Sequence, residues 1–343
     1  MVKKFNKGEW SEFYAFIKML SDKKVYLFDK NLEKLDFFYK IIKVLRKEKS
    51  IATYNLVDNE IIKKKINDKK IKIETRKIKP FVNRLLKLLK NSNGSSFEIK
   101  DVDNIFKLIK SEVIKGGTSY NKADINLVIN DNNKFEQDIG FNIKSYIGSP
   151  PTLLNSSRAT NFVYEINGFK GSVERVNNIN TKSKIRDRIL YLLNHSKSIT
   201  FIKLDNKIFT DNLRLIDSLL PEIISIFLLN FFSGKGRKIN TVFKTLPKNK
   251  LDVSKENFEY KIKSFLLNVA LGFVPTKKWD GYNKANGYIV VKNDGEIGCF
   301  DVFDKKILAD YLFSNTKFDT PSSSRHKINM DMFMKRKESF ILN

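Results

Sequence analysis

The sequence has little of what most metal and redox sites are made from. Cys299 is the only cysteine among 343 residues, which excludes an internal disulfide and a cysteine-based zinc site. His195 and His326 are the only histidines, so a His-rich metal centre is excluded as well. Any metal must then sit on carboxylates, amides, backbone carbonyls and water, which favours a hard ion such as Mg2+. Long apolar runs are missing too. The greasiest stretch, Leu219 to Phe232, is too short to cross a bilayer and carries Glu222, so it reads as a buried helix. The charged N-terminus, Met1 to Gly8, has no apolar segment behind it of the kind a secretory signal needs, and the expected location is the cytoplasm.

Acidic residues are scarce relative to basic ones: 38 Asp+Glu face 64 Lys+Arg, a formal net charge of +26. Such an excess draws a chain to polyanions, because each neutralised phosphate releases bound counterions. The abundance of Ile, Asn, Lys and Phe is also what an AT-rich genome produces. Charge alone therefore leaves a plain solvated lysine surface open. With 41% hydrophobic residues over this length, the chain can bury a sizeable core, as one large domain or two smaller ones.

Apolar spacing predicts a helix over 8–21, where Trp10, Phe13, Tyr14, Ile17 and Leu20 share a stripe. The same reasoning predicts helices over 33–46, 79–91, 100–115, 182–194, 211–232 and 257–271. Strand-like pieces occupy 50–77, and further strands are expected at 162–166 and 199–204. A Ser/Asn/Gly stretch at 91–96 marks a loop or boundary. Asp124 to Asn130 alternates like a strand, Asp131-Asn-Asn133 signals a turn, and Ile139 to Ser145 alternates again, which predicts a β-hairpin. A second hairpin is expected over 287–302, joined across Asn293-Asp-Gly295. The fold class is mixed α/β, with a central sheet flanked by helices. Three regions are expected: a mainly helical part at 1–95, a core at 96–205, and an α+β part at 206–343, all compatible with one compact domain.

The first hairpin carries chemistry. Asp124 opens one strand, while Asn142 and Lys144 leave the same face of the other. An acid, an amide and an amine thus converge on one sheet edge. That set suits phosphodiester hydrolysis. The Asp124 carboxylate, the Ile143 carbonyl and the Asn142 side-chain oxygen offer hard ligands, and Lys144 is placed to orient or deprotonate a water. Spacing alone does not separate this from a hairpin bearing a solvated lysine.

Longer runs add a resemblance. Gly140-Phe-Asn-Ile-Lys-Ser-Tyr-Ile-Gly-Ser-Pro-Pro-Thr-Leu-Leu-Asn-Ser-Ser157, then Ala159 to Ile166, is similar to the HpaII family of type II restriction endonucleases. So are Asn6 to Tyr14, Asn212 to Pro221, Asn315-Thr-Lys-Phe318 and Ser323-Ser-Arg-His326. The resemblance implies a PD-(D/E)xK core, Mg2+-dependent cleavage of double-stranded DNA and a CCGG-type palindrome as target. It implies Asp124 as the metal-binding acid and Lys144 as the motif lysine. The acid position two before that lysine is Asn142, which leaves the metal short of one charge. Glu12 on the first helix is the preferred substitute by resemblance, with Glu9 and Glu165 as alternatives. A DNA methyltransferase acting on the same site is an expected companion, and a homodimer on palindromic DNA is one way to cut both strands.

Polar side chains after the motif suggest DNA contacts. Ser145, Thr152, Asn155, Ser156, Arg158 and Asn161 lie in a Ser/Thr/Asn/Arg-dense run suited to phosphates and base edges. Arg186 and Arg188 flank Asp187 at a helix start, where Arg can read guanine and Asp can accept from cytosine N4. An ordinary charged helix face remains the competing account there. Arg325 and His326 join the set by resemblance. Asn142 also keeps open a catalytically impaired DNA-binding protein on a nuclease fold.

Overall fold

A computed structural model describes residues 4–48, 50–64, 70–94, 96–99, 102–111, 123–130, 136–148, 158–246, 251–318 and 339–342; at Arg158 and over 339–342 the backbone alone is described. In chain order the elements begin with α1 (Lys7–Asp22), β1 (Lys24–Phe28), β2 (Lys34–Lys47), β3 (Ile51–Val57), β4 (Glu60–Lys64), β5 (Lys70–Glu74), α2 (Lys79–Asn91) and α3 (Val102–Ile109). The central part holds β6 (Ile125–Asn130), β7 (Glu136–Ser145), β8 (Phe162–Asn167), α4 (Val173–Asn178), α5 (Lys184–His195) and β9 (Ser198–Leu204). The rest comprises α6 (Lys207–Ile216), α7 (Leu220–Phe232), α8 (Ile239–Lys244), α9 (Lys255–Ala270), β10 (Gly287–Val291), β11 (Ile297–Cys299), α10 (Lys306–Asn315) and β12 (Ser339–Leu342). The mixed α/β class stands.

Two compact units emerge. The first takes Met1–Pro151, Ala270–Gly272 and Asn283–Leu308; the second takes Thr152–Val269, Phe273–Tyr282 and Ala309–Asn343. The first unit is built on a nine-stranded sheet in the order β1-β11-β10-β7-β6-β2-β3-β4-β5. Because β1 also pairs with β2, the strands β1, β11, β10, β7, β6 and β2 close on themselves as a barrel, from which β3, β4 and β5 extend. Long β2 makes the closure possible. Its first half pairs with β1 through Lys40, and its second half pairs with β6 and β3.

Helix α1 is held where amphipathicity sends it. Asn6 and Glu9 form a capping box at its start, and Trp10, Phe13, Tyr14, Ile17 and Leu20 are buried against the strands, α2 and α3. Tyr14 donates its hydroxyl to the Gly295 carbonyl at 2.7 Å, fastening α1 to the β10–β11 turn. That turn is the expected Asn-Asp-Gly hairpin, with Gly295 in the left-handed region at φ 93°.

The second unit carries a three-stranded sheet, β12-β8-β9, and a phenylalanine-rich helical core. Phe227 and Phe243 are stacked at 6.5 Å, and Phe231 and Phe318 at 4.9 Å. Among the described residues no single helix is long and apolar enough to cross a membrane.

Several expectations need correcting. The helix expected over 33–46 is strand β2, and the first 95 residues, expected to be mainly helical, hold five strands beside two α-helices among the described residues. The single helix expected over 211–232 is two, broken at 217–219, because Pro221 is suited to the first turn of a helix rather than its interior and the Asp217 side chain accepts the Leu219 N–H at 2.9 Å. The helix expected over 100–115 ends at Ile109, after which Lys110 turns left-handed at φ 53°.

Candidate active site

Asp124 sits immediately before β6 and donates its backbone N–H to the Phe141 carbonyl at 3.0 Å. This extends the β6–β7 ladder, whose last pair is Ile125 opposite Phe141, and sets Asp124 beside Asn142 and Ile143. The carboxylate then completes the edge: its Oδ2 accepts the Ile143 N–H at 2.8 Å. A strand residue sends its N–H and C=O to the same edge, so the Ile143 carbonyl also leaves toward Asp124.

Phe141 and Ile143 face the apolar core, and Asn142 and Lys144 alternate with them. Those two half-buried polar side chains therefore share the opposite face. On the parallel neighbour β10, Tyr288 stands level with Asn142 and Val290 with Lys144. The Asn142 amide is engaged: Nδ2 donates to the carbonyl of Ala270, the last residue of α9, at 2.7 Å. Burial pushes the Tyr288 hydroxyl well above the usual tyrosine range, and the charges of Tyr146 and Asp124 add to that shift.

Close approaches fix this arrangement. A Cβ on Gly140 would come within 2.8 Å of the Cβ of Ala123, next to Asp124. A Cβ on Gly287 would meet the Phe141 ring at 2.1 Å. Both glycines let backbone and ring pack where any side chain would collide.

Four of the expected site residues thus come together: Asp124, Asn142, Ile143 and Lys144. The donor chemistry fits a hard divalent ion, since a carboxylate, an amide oxygen and a backbone carbonyl are all oxygen ligands. It supplies one formal charge. Among the described residues, no three His, Cys, Asp or Glu side chains gather in a group that could hold a metal.

The glutamates have other neighbours. Glu12 acts electrostatically on Arg46 of β2, whose guanidinium lies 4.5 Å from the Phe16 ring centre. Glu9 accepts the Asn6 N–H at 3.1 Å as part of the α1 cap. Glu165 is exposed on β8, in the second unit.

The expected DNA-contacting residues divide similarly. Ser145 accepts the Ile147 N–H at 3.0 Å, shaping the turn after β7. Asn161 donates to Asp205 at 3.4 Å. Arg186 is exposed on α5 and bonds Asp187 at 3.1 Å. Asp187 also accepts from Thr181 at 2.5 Å, and these two partners hold its carboxyl below the usual range, Thr181 most. Arg188 is spent on structure, donating to the carbonyls of Asn177 at 2.6 Å and Ile179 at 3.2 Å. Thr152, Asn155, Ser156, Arg325 and His326 lie outside the described residues, as does the Arg158 side chain.

Sequence reasoning missed Tyr146, Tyr288 and the Ala270 carbonyl. Tyr146 was within reach, being two residues past Lys144 on the same strand path. Nothing in the sequence aligns β10 with β7 or brings the end of α9 to Asn142.

Comparison with known proteins supplies the family. The HpaII restriction endonuclease family matches residues 6–343. The type II restriction enzyme HpaII of Haemophilus parainfluenzae is 37% identical over 346 residues, covering 96% of each chain. No solved structure matches.

Proposed function

The chain belongs to the HpaII restriction endonuclease family and is a site-specific deoxyribonuclease, and we propose that it cuts double-stranded DNA at a CCGG-type palindrome with Mg2+ on a PD-(D/E)xK site formed by Asp124 and Lys144. The observation that carries the assignment is the Asp124 carboxylate bonded to the Ile143 N–H just before β6 begins, with Lys144 next to Ile143 on β7.

Bound Mg2+ would lower the pKa of a water and stabilise charge on the transferring phosphate. The chain's own residues do the rest. Asp124, Ile143 and Asn142 offer the oxygens, and the hydrogen bond from Ile143 fixes the carboxylate before any ligand arrives, which favours a preorganised site. Lys144 orients the attacking water or takes its proton and adds positive charge near the phosphate. Glu12, which acts electrostatically on Arg46 of β2, is the preferred source of a second carboxylate. Arg186, exposed on α5, is the proposed DNA-contacting arginine there; Asn155, Ser156, Arg158 and Asn161 complete the proposed contact set with Ser145, Thr152, Arg325 and His326. The enzyme would work in the cytoplasm beside a methyltransferase that protects the same site, and as a homodimer if both strands are cut in one encounter.

The test uses plasmid DNA. With Mg2+, discrete fragments ending at one short site are expected, and none with EDTA. Asp124→Ala and Lys144→Ala should each lose at least about 1,000-fold in cutting rate while retaining specific binding. Full-rate cutting by either variant refutes the site. DNA retarded in a gel but uncut under all metals would indicate a binding protein on this fold.

A further inference from the structure

We infer that Asn142 acts as a positioning residue that caps helix α9, and that an acid at this place would damage the site. The inference rests on the Asp124–Lys144 reading above. Ala270 ends α9, so its carbonyl is one of the last four that have no partner within the helix. The Asn142 Nδ2 donates to that carbonyl at 2.7 Å. Ala270 is almost wholly buried, so water cannot replace the lost donor.

Charge explains why an amide occupies this position. The C-terminus of a helix carries partial negative charge. A carboxylate at 142 would face both that charge and the lone pairs of the Ala270 carbonyl, with no proton to donate. An amide of the same size donates one hydrogen and leaves Oδ1 to point elsewhere on the half-buried face shared with Lys144. Asn142 is therefore a link between β7, which carries Lys144, and the segment Ala270–Gly272, which belongs to the first unit and begins with the last residue of α9. The same segment is held from its other side, where Lys284 and Ala285 donate their backbone N–H groups to the Leu271 carbonyl at 3.1 and 3.0 Å. Gly272, at φ 123°, then turns the chain away; a Cβ there would stand 3.2 Å from the Cβ of Lys284.

Two ideas about Asn142 make opposite forecasts. If it is merely an acid that was lost, Asn142→Asp restores a ligand and lowers the Mg2+ concentration needed for cutting. If it is the cap, Asn142→Asp loses both stability and rate and gains nothing in Mg2+ requirement. The experiment compares wild type, Asn142→Ala and Asn142→Asp. Melting is recorded in EDTA, and single-turnover cutting is recorded across Mg2+ concentrations.

The expected melting order is wild type, then Asn142→Ala, then Asn142→Asp, with the last at least about 3 °C below wild type. At saturating Mg2+, Asn142→Asp should cut at least about 10-fold more slowly, since small displacements of reacting groups carry large rate penalties. Its half-saturating Mg2+ should not fall. Wild-type melting, or a lower Mg2+ requirement, overturns the inference on its own. Failure of Asn142→Asp to fold while Asn142→Ala folds supports it, and wild-type melting of Asn142→Ala overturns it. Asp124→Ala serves as the control: if that variant still cuts, the underlying site reading falls while the melting comparison still reports on the cap.

Discussion

A side chain at position 140 has nowhere to go. Its Cβ would stand 2.8 Å from the Cβ of Ala123, 3.5 Å from Oδ1 of Asn126 and 3.6 Å from the Lys284 carbonyl. Asn126 is itself held by its hydrogen bond to Asp138 at 3.0 Å, and Lys284 by the Leu271 carbonyl. Ala123 is the neighbour best able to yield, and Asp124 follows it directly. Gly140→Ala should therefore shift the carboxylate while leaving the fold in place. Displacement of a reacting group by about 1 Å costs roughly 100-fold in rate, and a loss of that order is expected here. Cutting rate and circular dichroism measured together check it: a native spectrum with near wild-type cutting would show that Ala123 relaxes without moving Asp124.

At the scale of elements, strand β2 shows what the sequence could and could not convey. Residues Leu35, Phe38, Ile41, Ile42 and Leu45 repeat at helical spacing, yet they form a strand. Burial alternates properly through Tyr39 and Ile41, then resumes at Val44 and Arg46, because a bulge between Ile41 and Lys43 inserts one residue. Of the five apolar residues at helical spacing only Ile41 is buried; Leu35, Ile42 and Leu45 are half-buried and Phe38 is exposed, so the apolar spacing does not follow the buried face. Helices α1 and α2 and the β6–β7 hairpin were legible because the apolar spacing of each runs unbroken along the element. So were Asp124, Asn142 and Lys144, which one hairpin brings together. The pairing of β10 with β7 and the arrival of α9 at Asn142 are tertiary, and local periodicity carries no trace of them.

β2 also anchors a buried polar network that periodicity does not reveal. Lys63 on β4 has a side chain only 1% exposed and donates to Glu48 and to the Lys110 carbonyl, both at 2.8 Å. Glu48 also accepts from Tyr54 at 2.5 Å and Ser111 at 2.6 Å. Burial raises the Tyr54 hydroxyl far above its ordinary range, with Glu48 adding to the shift. The network ties β2, β3 and β4 to the chain just after α3. Lys63→Ala leaves Glu48 and its donors without their central cation. Removal of one partner from a buried pair typically costs about 3–5 kcal/mol, and urea unfolding should register a loss in that range. A change under about 1 kcal/mol would mean that Arg46 takes over the charge of Glu48.

For the whole molecule the decisive quantity is the imbalance of 64 basic against 38 acidic residues. A lysine excess that merely reflects genome composition and one that serves DNA binding look alike in a sequence count. They differ in how affinity responds to salt. Each phosphate neutralised by a bound Lys or Arg releases condensed counterions, so log K falls with log salt at about 0.9 per phosphate contact. For six to ten contacts, affinity should drop roughly 1,000- to 100,000-fold between 50 and 200 mM salt. Base-edge contacts depend on salt much less. Discrimination between a CCGG-containing duplex and one lacking the site should therefore survive as total affinity falls. Filter binding of both duplexes across that range, in EDTA to prevent cutting, measures the two slopes. Steep and similar slopes on both would assign the excess charge to the phosphate backbone. A nearly flat response on the cognate duplex would return most of the lysines to genome bias and leave recognition to a few polar and arginine side chains.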